Sequence, residues 1–384
     1  MKHLRQLIGC FLFIALLANF VSCVKNIGQL PFNYQVNPGV LSLCELPETL
    51  TYFGAMSTSS QLGPIPITLS PSAAAGALGV AMFADQSLTD SAVIPYVQAT
   101  NGFELDRLSQ ARTGVGAGSV DNLIFFAGGQ LPALPGAFGN GFSSLVDIYD
   151  ASYGLLPQSK ASLSVPRALP AVGSAGHVIA FGGGIIVGDP YANSNAVDIY
   201  NHANNTWSAS QLSTSRAFLA AAGWGTKILF GGGVDITSTI PTDVVDIYDI
   251  NAKTWTVSKL SQARSHLAAA ATCNKIFFAG GVLANAMASD RVDIYDVPSG
   301  TWTTAQLSEP RIDLCAVAAG NRIFLGGGYK DIALNPSTTV DVYDMSSGTW
   351  STSPLSGKRV SGAAALNKVV FIGDTTADIF TLGQ

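Results

Sequence analysis

The chain has 384 residues, of which 20 are Lys or Arg and 25 are Asp or Glu, giving 12% charged residues and a formal net charge of −5. A soluble domain ordinarily carries about 25% charged residues; with 48% hydrophobic residues the composition excludes a disordered chain, which needs low hydrophobicity and high charge. So few basic residues also exclude a nucleic-acid binder working through a basic surface.

At the amino terminus Lys2, His3 and Arg5 precede an almost wholly apolar run from Leu7 to Val21, followed by the small residues Ser22 and Cys23. That order is expected of a secretory signal peptide over residues 1–23, with a core too short for a comfortable membrane span. The expected location is therefore extracellular. The alternative is a lipid anchor at Cys23, because Phe20-Val21-Ser22-Cys23 loosely follows a bacterial acylation motif, with Phe20 departing from it. No later stretch offers the roughly 18 consecutive apolar residues of a transmembrane helix. Residues 24–60 read as a leader of unspecified order, and 61–384 as the folded domain.

Behind Cys23 come Cys44, Cys273 and Cys315. An odd number at wide spacing predicts neither a disulfide framework nor a CxxC metal site. Cys273 and Cys315 stand in Ala-rich runs and are expected to be buried, inert thiols. Asn204-Asn205-Thr206 is a glycosylation sequon, which makes Asn204 a glycan acceptor only in a eukaryotic source.

From there on the chain repeats itself. VDIYD stands at 146–150, 245–249 and 292–296, VDIY at 197–200, VDVYD at 340–344 and a worn ADIF at 377–380. Trp207, Trp255, Trp302 and Trp350 keep the same beat of 47 or 48 residues, as do Arg167, Arg216, Arg264, Arg311 and Arg359 at 47 to 49, with Arg112 further ahead. Each unit has an Ala-rich run after the Arg, a second apolar run ending in Gly-Gly, then the Tyr-Asp phrase and a Trp segment. These are short strands bounded by turn residues, without helical periodicity. Four such strands form a sheet that cannot bury both faces alone, so neighbouring units must stack around an axis.

Gly-Gly closing the second strand, Tyr-Asp in the third and Trp seven residues after the Tyr resemble kelch repeats over roughly residues 104–384. The resemblance implies an all-β, kelch-type β-propeller closed by an amino-terminal strand. Tyr96, Phe103 and Arg112 keep the repeat's spacing with Phe in place of Trp, and residues 73–86 align without gaps on 171–184. Seven blades are therefore expected, the first degenerate, with the closing strand near Ile65 to Leu69; six blades are the alternative.

In such a meander the links between blades and the loops between second and third strands emerge on one face. The long loops 130–143, 184–195, 234–243, 282–290 and 329–338 lie there, and loops on a rigid scaffold are where binding resides. Arg112, Arg167, Arg216, Arg264, Arg311 and Arg359 sit at the links. Two readings of them stand open: a ring of guanidinium groups that binds an anionic ligand, or one-to-one pairing with Asp147, Asp198, Asp246, Asp293, Asp341 and Asp378. The second aspartates, Asp150, Asp249, Asp296 and Asp344, are expected to cap their own turns. His177, His202 and His266 make no metal-ligand pair at short spacing.

The expectation is a secreted recognition module, with no catalytic residue, cofactor or metal, that binds a protein or a glycan through the loop face. The alternative is a sugar-processing propeller enzyme with a central pocket. The copper oxidases of the superfamily need a Cys–Tyr crosslink and two His, which are not matched here; a mutarotase-like site would draw on a residue such as Glu309. A convergent acid–base pair in the pocket would favour the enzyme, and a lining of Ala and Gly with the arginines already paired would favour the binder.

Overall fold

The computed structural model describes residues 50–57, 71–77, 80–85, 92–97, 102–103, 106–132, 141–151, 157–188, 191–359, 361–365, 367–373 and 376–382. The signal segment 1–23 and the stretch Ile65–Leu69 lie outside them. Every element in that range is a strand or a turn, and the molecule is an all-β propeller.

Six four-stranded antiparallel sheets carry the regular repeats, and a sheet of five strands between Pro71 and Arg107 is built from the worn copy. In the blade of residues 220–259, Ala220–Trp224 is innermost, followed outward by Lys227–Gly231, Val244–Asp249 and Thr254–Lys259. The inner strands touch in chain order, and Pro71–Ala77 touches both Gly116–Val120 and Ser361–Ala365, so the ring closes with seven members. The alignment of the worn copy holds in register: Ala77 faces Val80 as Ala175 faces Val178, and Tyr96 faces Phe103 as Tyr248 faces Trp255.

Closure differs from expectation. The strand that completes the last blade is Leu50–Ser57, running antiparallel to Thr376–Leu382 with Leu50 opposite Leu382 and Ser57 opposite Thr376. The folded domain thus begins at or before Leu50, not at residue 61.

The core lies between blades. Ala180, Val197 and Ile199 of one blade pack with Ile228, Phe230 and Tyr248 of the next, and the same pattern recurs at the following junctions. The second strands, buried on both faces, read as unbroken apolar runs such as Ile228-Leu229-Phe230. A single blade would leave these faces in water, which is why the ring is the stable unit.

The tryptophans close the outer part of each junction but are only half-buried. Trp255 lies against Tyr248, ring centroids 4.9 Å apart, and its indole N–H donates to Ser210 Oγ of the preceding blade at 2.8 Å. Trp302 repeats this with Tyr295 and Ser258. Trp302→Ala is accordingly expected to cost about 2–3 kcal/mol, below the roughly 3–5 kcal/mol of a fully buried Trp; equilibrium urea unfolding checks it.

Asp249, Asp296 and Asp344 cap their turns, while most of the turn after Asp150 lies outside the described residues. Asp249 accepts from the amides of Asn251 and Ala252, and Asp344 from those of Ser346 and Ser347. Hydrogen bonds from Ser299, with Lys275 beside them, bring Asp296 down to about 2, and the Lys227 ammonium holds Asp249 below the usual carboxylate range. A carboxyl group with a depressed folded pKa adds stability above its unfolded value near 4, lost as pH falls through the folded value. Denaturant midpoints should therefore be level from pH 7 to 5 and fall between roughly pH 4 and 2, less steeply in Asp296→Asn.

Candidate functional site: the loop face and the axial mouth

Each repeat arginine is buried, with side-chain exposure of 2% or less, and each is paired with the aspartate that opens its Tyr-Asp phrase. Arg167 meets Asp198 at 2.7 Å. Arg264 also donates to the carbonyl oxygens of Gly280 and Arg291, and the second oxygen of Asp293 accepts from the Ser261 amide at 2.9 Å. Arg311 repeats this with the carbonyls of Gly327 and Thr339 and with the Ser308 amide on Asp341. Arg216 keeps the Val244 carbonyl and the Ser213 amide on Asp246, and Arg112 keeps the carbonyls of Gly128 and Leu145, with the Ser109 amide donating to the Asp147 oxygen that Arg112 holds. The reading of Arg112, Arg167, Arg216, Arg264, Arg311 and Arg359 as an anion-binding ring is thus corrected. Their guanidinium groups fasten the inter-blade links to the third strands and present no face to the axial opening.

The double glycine has a matching role. The second glycine's N–H donates to the carbonyl of the next blade's arginine, as in Gly233 to Arg264 at 2.8 Å and Gly281 to Arg311 at 2.8 Å. Both glycines of a pair have positive φ, and a Cβ on Gly232 would lie 2.5 Å from the Arg264 carbonyl oxygen. Only glycine allows that approach.

On the axis, the upper ends of the inner strands enclose a cavity of about 300 Å³. Its wall is mostly Ala, Gly, Val and Leu, with Pro170, Cys315 and Ser361. Burial pushes the Cys315 thiol up to about 12, so it stays protonated and unreactive. The described residues that line it include no acid–base pair. Among the described residues, no group of three or more His, Cys, Asp or Glu is arranged to hold a metal ion. Glu309 is held by Ser337 and Lys330 at the edge of the loop face and is not among the cavity-lining residues.

Next in the chain to the lining residues Val115, Pro170, Leu219, Leu267 and Leu314, at the start of the inner strands, stand residues that sequence reasoning passed over. The residue two after the arginine has positive φ in five links: Gly114, Leu169, Phe218, His266 and Asp313, all between 49° and 61°. The twist lets one link donate to the link before it: Leu169 to Gly114, His266 to Phe218 and Asp313 to His266. Non-glycine residues in this region cost about 1–3 kcal/mol each. Phe218 and His266 stack at 4.1 Å between centroids and 17° between planes, and Ser265 Oγ lies 3.0 Å from His266 Nδ1. The signal was present in the sequence: two residues after the constant Arg, this position reads Gly, Leu, Phe, His and Asp copy by copy.

Alongside these links stand the long loops. Val187 and Tyr191, Ile240, Met287, and Ile332 with Leu334 are the exposed large hydrophobics of four successive blades, and all lie in loops between second and third strands. The one remaining such residue among the described ones, Val257, is on an outer strand. Neighbouring loops brace each other through Phe142 on Tyr191 and through the Asn193 amide donating to Asp235 at 3.0 Å.

A family model described as the KLHDC2/KLHL20/DRC7 kelch-repeats domain matches residues 168–383. The chain belongs to the kelch-repeat family. A kelch domain of this kind is typically a protein-interaction module. Among solved structures, one titled "Structure of YjhT" matches with a TM-score of 0.57 at 13% identity, covering 76% of this chain and 99% of that one. At that identity the likeness is one of fold. No curated protein sequence matches the chain.

Two further expectations of the kelch chain meet the structure here. Asn204 is exposed in the turn between third and fourth strands, on the face opposite the loops. Cys315 is a free, buried thiol as expected, whereas Cys273, read as another inert thiol, is disulfide-bonded. Pairing depends on which turns meet in space, and spacing along the chain does not carry that. No helix among the described residues is long and apolar enough to cross a membrane.

Proposed function

We propose that this kelch propeller is an extracellular protein-binding module whose partner docks on the loop face. One observation carries the reading: among the described residues, six of the seven exposed large hydrophobic side chains belong to that face, on adjacent blades. Scattered apolar residues on a surface are ordinary, but a group on one face marks an interaction site. The propeller holds the loops rigidly, so little conformational entropy is lost on docking. Secretion rests on the basic, apolar and small segments of residues 1–23 and is supported by the disulfide at Cys273, since such bonds persist in oxidising compartments.

The test is a selection of extracellular proteins and peptides displayed on phage against the full chain. The variant Ile240→Ser, Met287→Ser, Ile332→Ser should lose enrichment at least tenfold while keeping its unfolding midpoint, and Val257→Ser should behave as wild type. Equal enrichment by the triple variant would remove the loop face from the reading. Binding on a glycan array that the triple variant leaves unchanged would replace it with a carbohydrate-binding one.

A further inference from the structure

We infer that the axial mouth is a cation-accepting subsite, in which Asp313 and the Phe218–His266 stack take one Lys or Arg side chain of the docked protein. This rests on the proposed loop-face binding and adds the chemistry of its central contact.

The placement comes first. Phe218, His266 and Asp313 stand on three successive links and immediately precede Leu219, Leu267 and Leu314, which line the cavity. The three links therefore stand at the loop-face end of the inner strands that enclose the cavity. Backbone geometry gives no reason for their identities, because the equivalent position at Gly114 holds the same twist with glycine. His and Asp tolerate this conformation, but the bulky Phe218 is kept in one that disfavours it, which points to a use for the side chain.

The charge balance decides the ligand. Asp313 is exposed at the mouth, and no Lys or Arg forms an ion pair with it among the described residues. The positive groups nearest in the chain are committed, Arg311 to Asp341 and Arg264 to Asp293. Burial lowers the pKa of His266, with Asp313 pulling the other way. Crowding by the surrounding protein raises the Asp313 carboxyl above its usual range, with His266 pulling the other way; a bound cation would reverse that rise. The faces of Phe218 and His266 add the electron-rich surface on which a guanidinium or ammonium rests. Below them the Ala-lined wall accommodates the side chain's aliphatic stem. An anion would meet an unpaired carboxylate and no free guanidinium.

Two measurements on the full chain test this. In the first, benzamidinium is the probe, and the His266 imidazole Cε1–H resonance is followed by NMR. A saturable shift is expected in wild type, with the dissociation constant raised at least tenfold in Asp313→Asn. Asn accepts positive φ readily, so the fold is kept. The Ile240→Ser, Met287→Ser, Ile332→Ser variant should shift as wild type does, so this arm reads the subsite even where the loop face captures no protein. No shift, or the same affinity in Asp313→Asn, overturns the subsite and leaves the loop-face reading standing. In the second, peptides selected from a random library on wild type should carry Lys or Arg at one fixed position. Replacing that residue by Ala should weaken binding at least tenfold, and Asp313→Lys should shift the selected residue to Asp or Glu. Peptide sets with no basic preference, or identical sets on wild type and Asp313→Lys, overturn it as well.

Discussion

Replacing Arg264 by alanine is expected to destabilise the propeller by about 3–5 kcal/mol, because it leaves the buried Asp293 carboxylate without its partner. The cost is not that of an ordinary salt bridge, worth about 0–1 kcal/mol when exposed. Arg264 and Asp293 are both almost wholly shielded from water. The guanidinium also satisfies the carbonyl oxygens of Gly280 and Arg291, and Asp293 also accepts the Ser261 amide. Removing both charges, as Arg264→Met with Asp293→Leu, ends the uncompensated charge but strands those backbone groups, at about 1–3 kcal/mol for each one left unsatisfied. The double variant should therefore recover only part of the loss. Urea unfolding at pH 7 measures both, and a single-variant loss below about 1 kcal/mol would contradict a buried, committed pair. The outcome also bears on binding. Ser265 and His266 follow directly on Arg264, so an unfastened link lets both residues move. An Arg264→Ala protein that still folds should lose peptide binding without Arg264 ever touching the ligand.

Much of the fold was legible because a propeller writes its third dimension into one: each blade repeats its Tyr, Trp, Gly-Gly and Arg at one interval, and the inter-blade contacts need them there. The one-to-one match of Arg112 to Asp147 and its counterparts was visible in the same way. What the beat does not mark was hidden. Leu50–Ser57 pairs with a strand from the far end of the chain, and nothing in LTYFGAMS copies a repeat phrase. The aligned Phe103 gave the worn first sheet, whereas the leader ahead of it offered nothing to align. The beat also does not show how deeply a residue is buried: the tryptophans stand on outer strands that keep one face in water. The mouth was missed for the opposite reason. Repeats stand out by the positions that stay constant, and Leu169, Phe218, His266 and Asp313 differ from copy to copy behind a constant Arg. Structure is held by the constant positions, and chemical individuality sits at the variable ones and in the loops.

Deleting the chain through Ser57 should have the largest effect of all, since it removes the strand that closes the ring. Leu50–Ser57 pairs with Thr376–Leu382 over Leu50 to Tyr52 and Ala55 to Ser57, with an irregularity between. Each backbone hydrogen bond lost contributes about 0.5–1.5 kcal/mol net, so the strand as a whole contributes several kcal/mol to a domain stability ordinarily of about 5–15 kcal/mol. The harm extends beyond that sum. Thr376–Leu382 becomes an edge with unpaired amides and carbonyls, open to pairing with another chain. Asp378, which holds Arg359, and Phe380, which packs on Phe324 and Phe371, lie on that same strand. The truncated protein should therefore associate in a concentration-dependent way on size exclusion with light scattering, and its unfolding midpoint should drop steeply. A synthetic peptide spanning Leu50–Ser57, added in excess, should return the elution to that of the full chain by supplying the missing strand in trans. A truncated chain that stays monomeric with an unchanged midpoint would mean that the last blade is complete with three strands. Rescue by the peptide would instead show that closure depends on the strand's hydrogen bonds and packing and does not require its covalent link to the rest of the propeller.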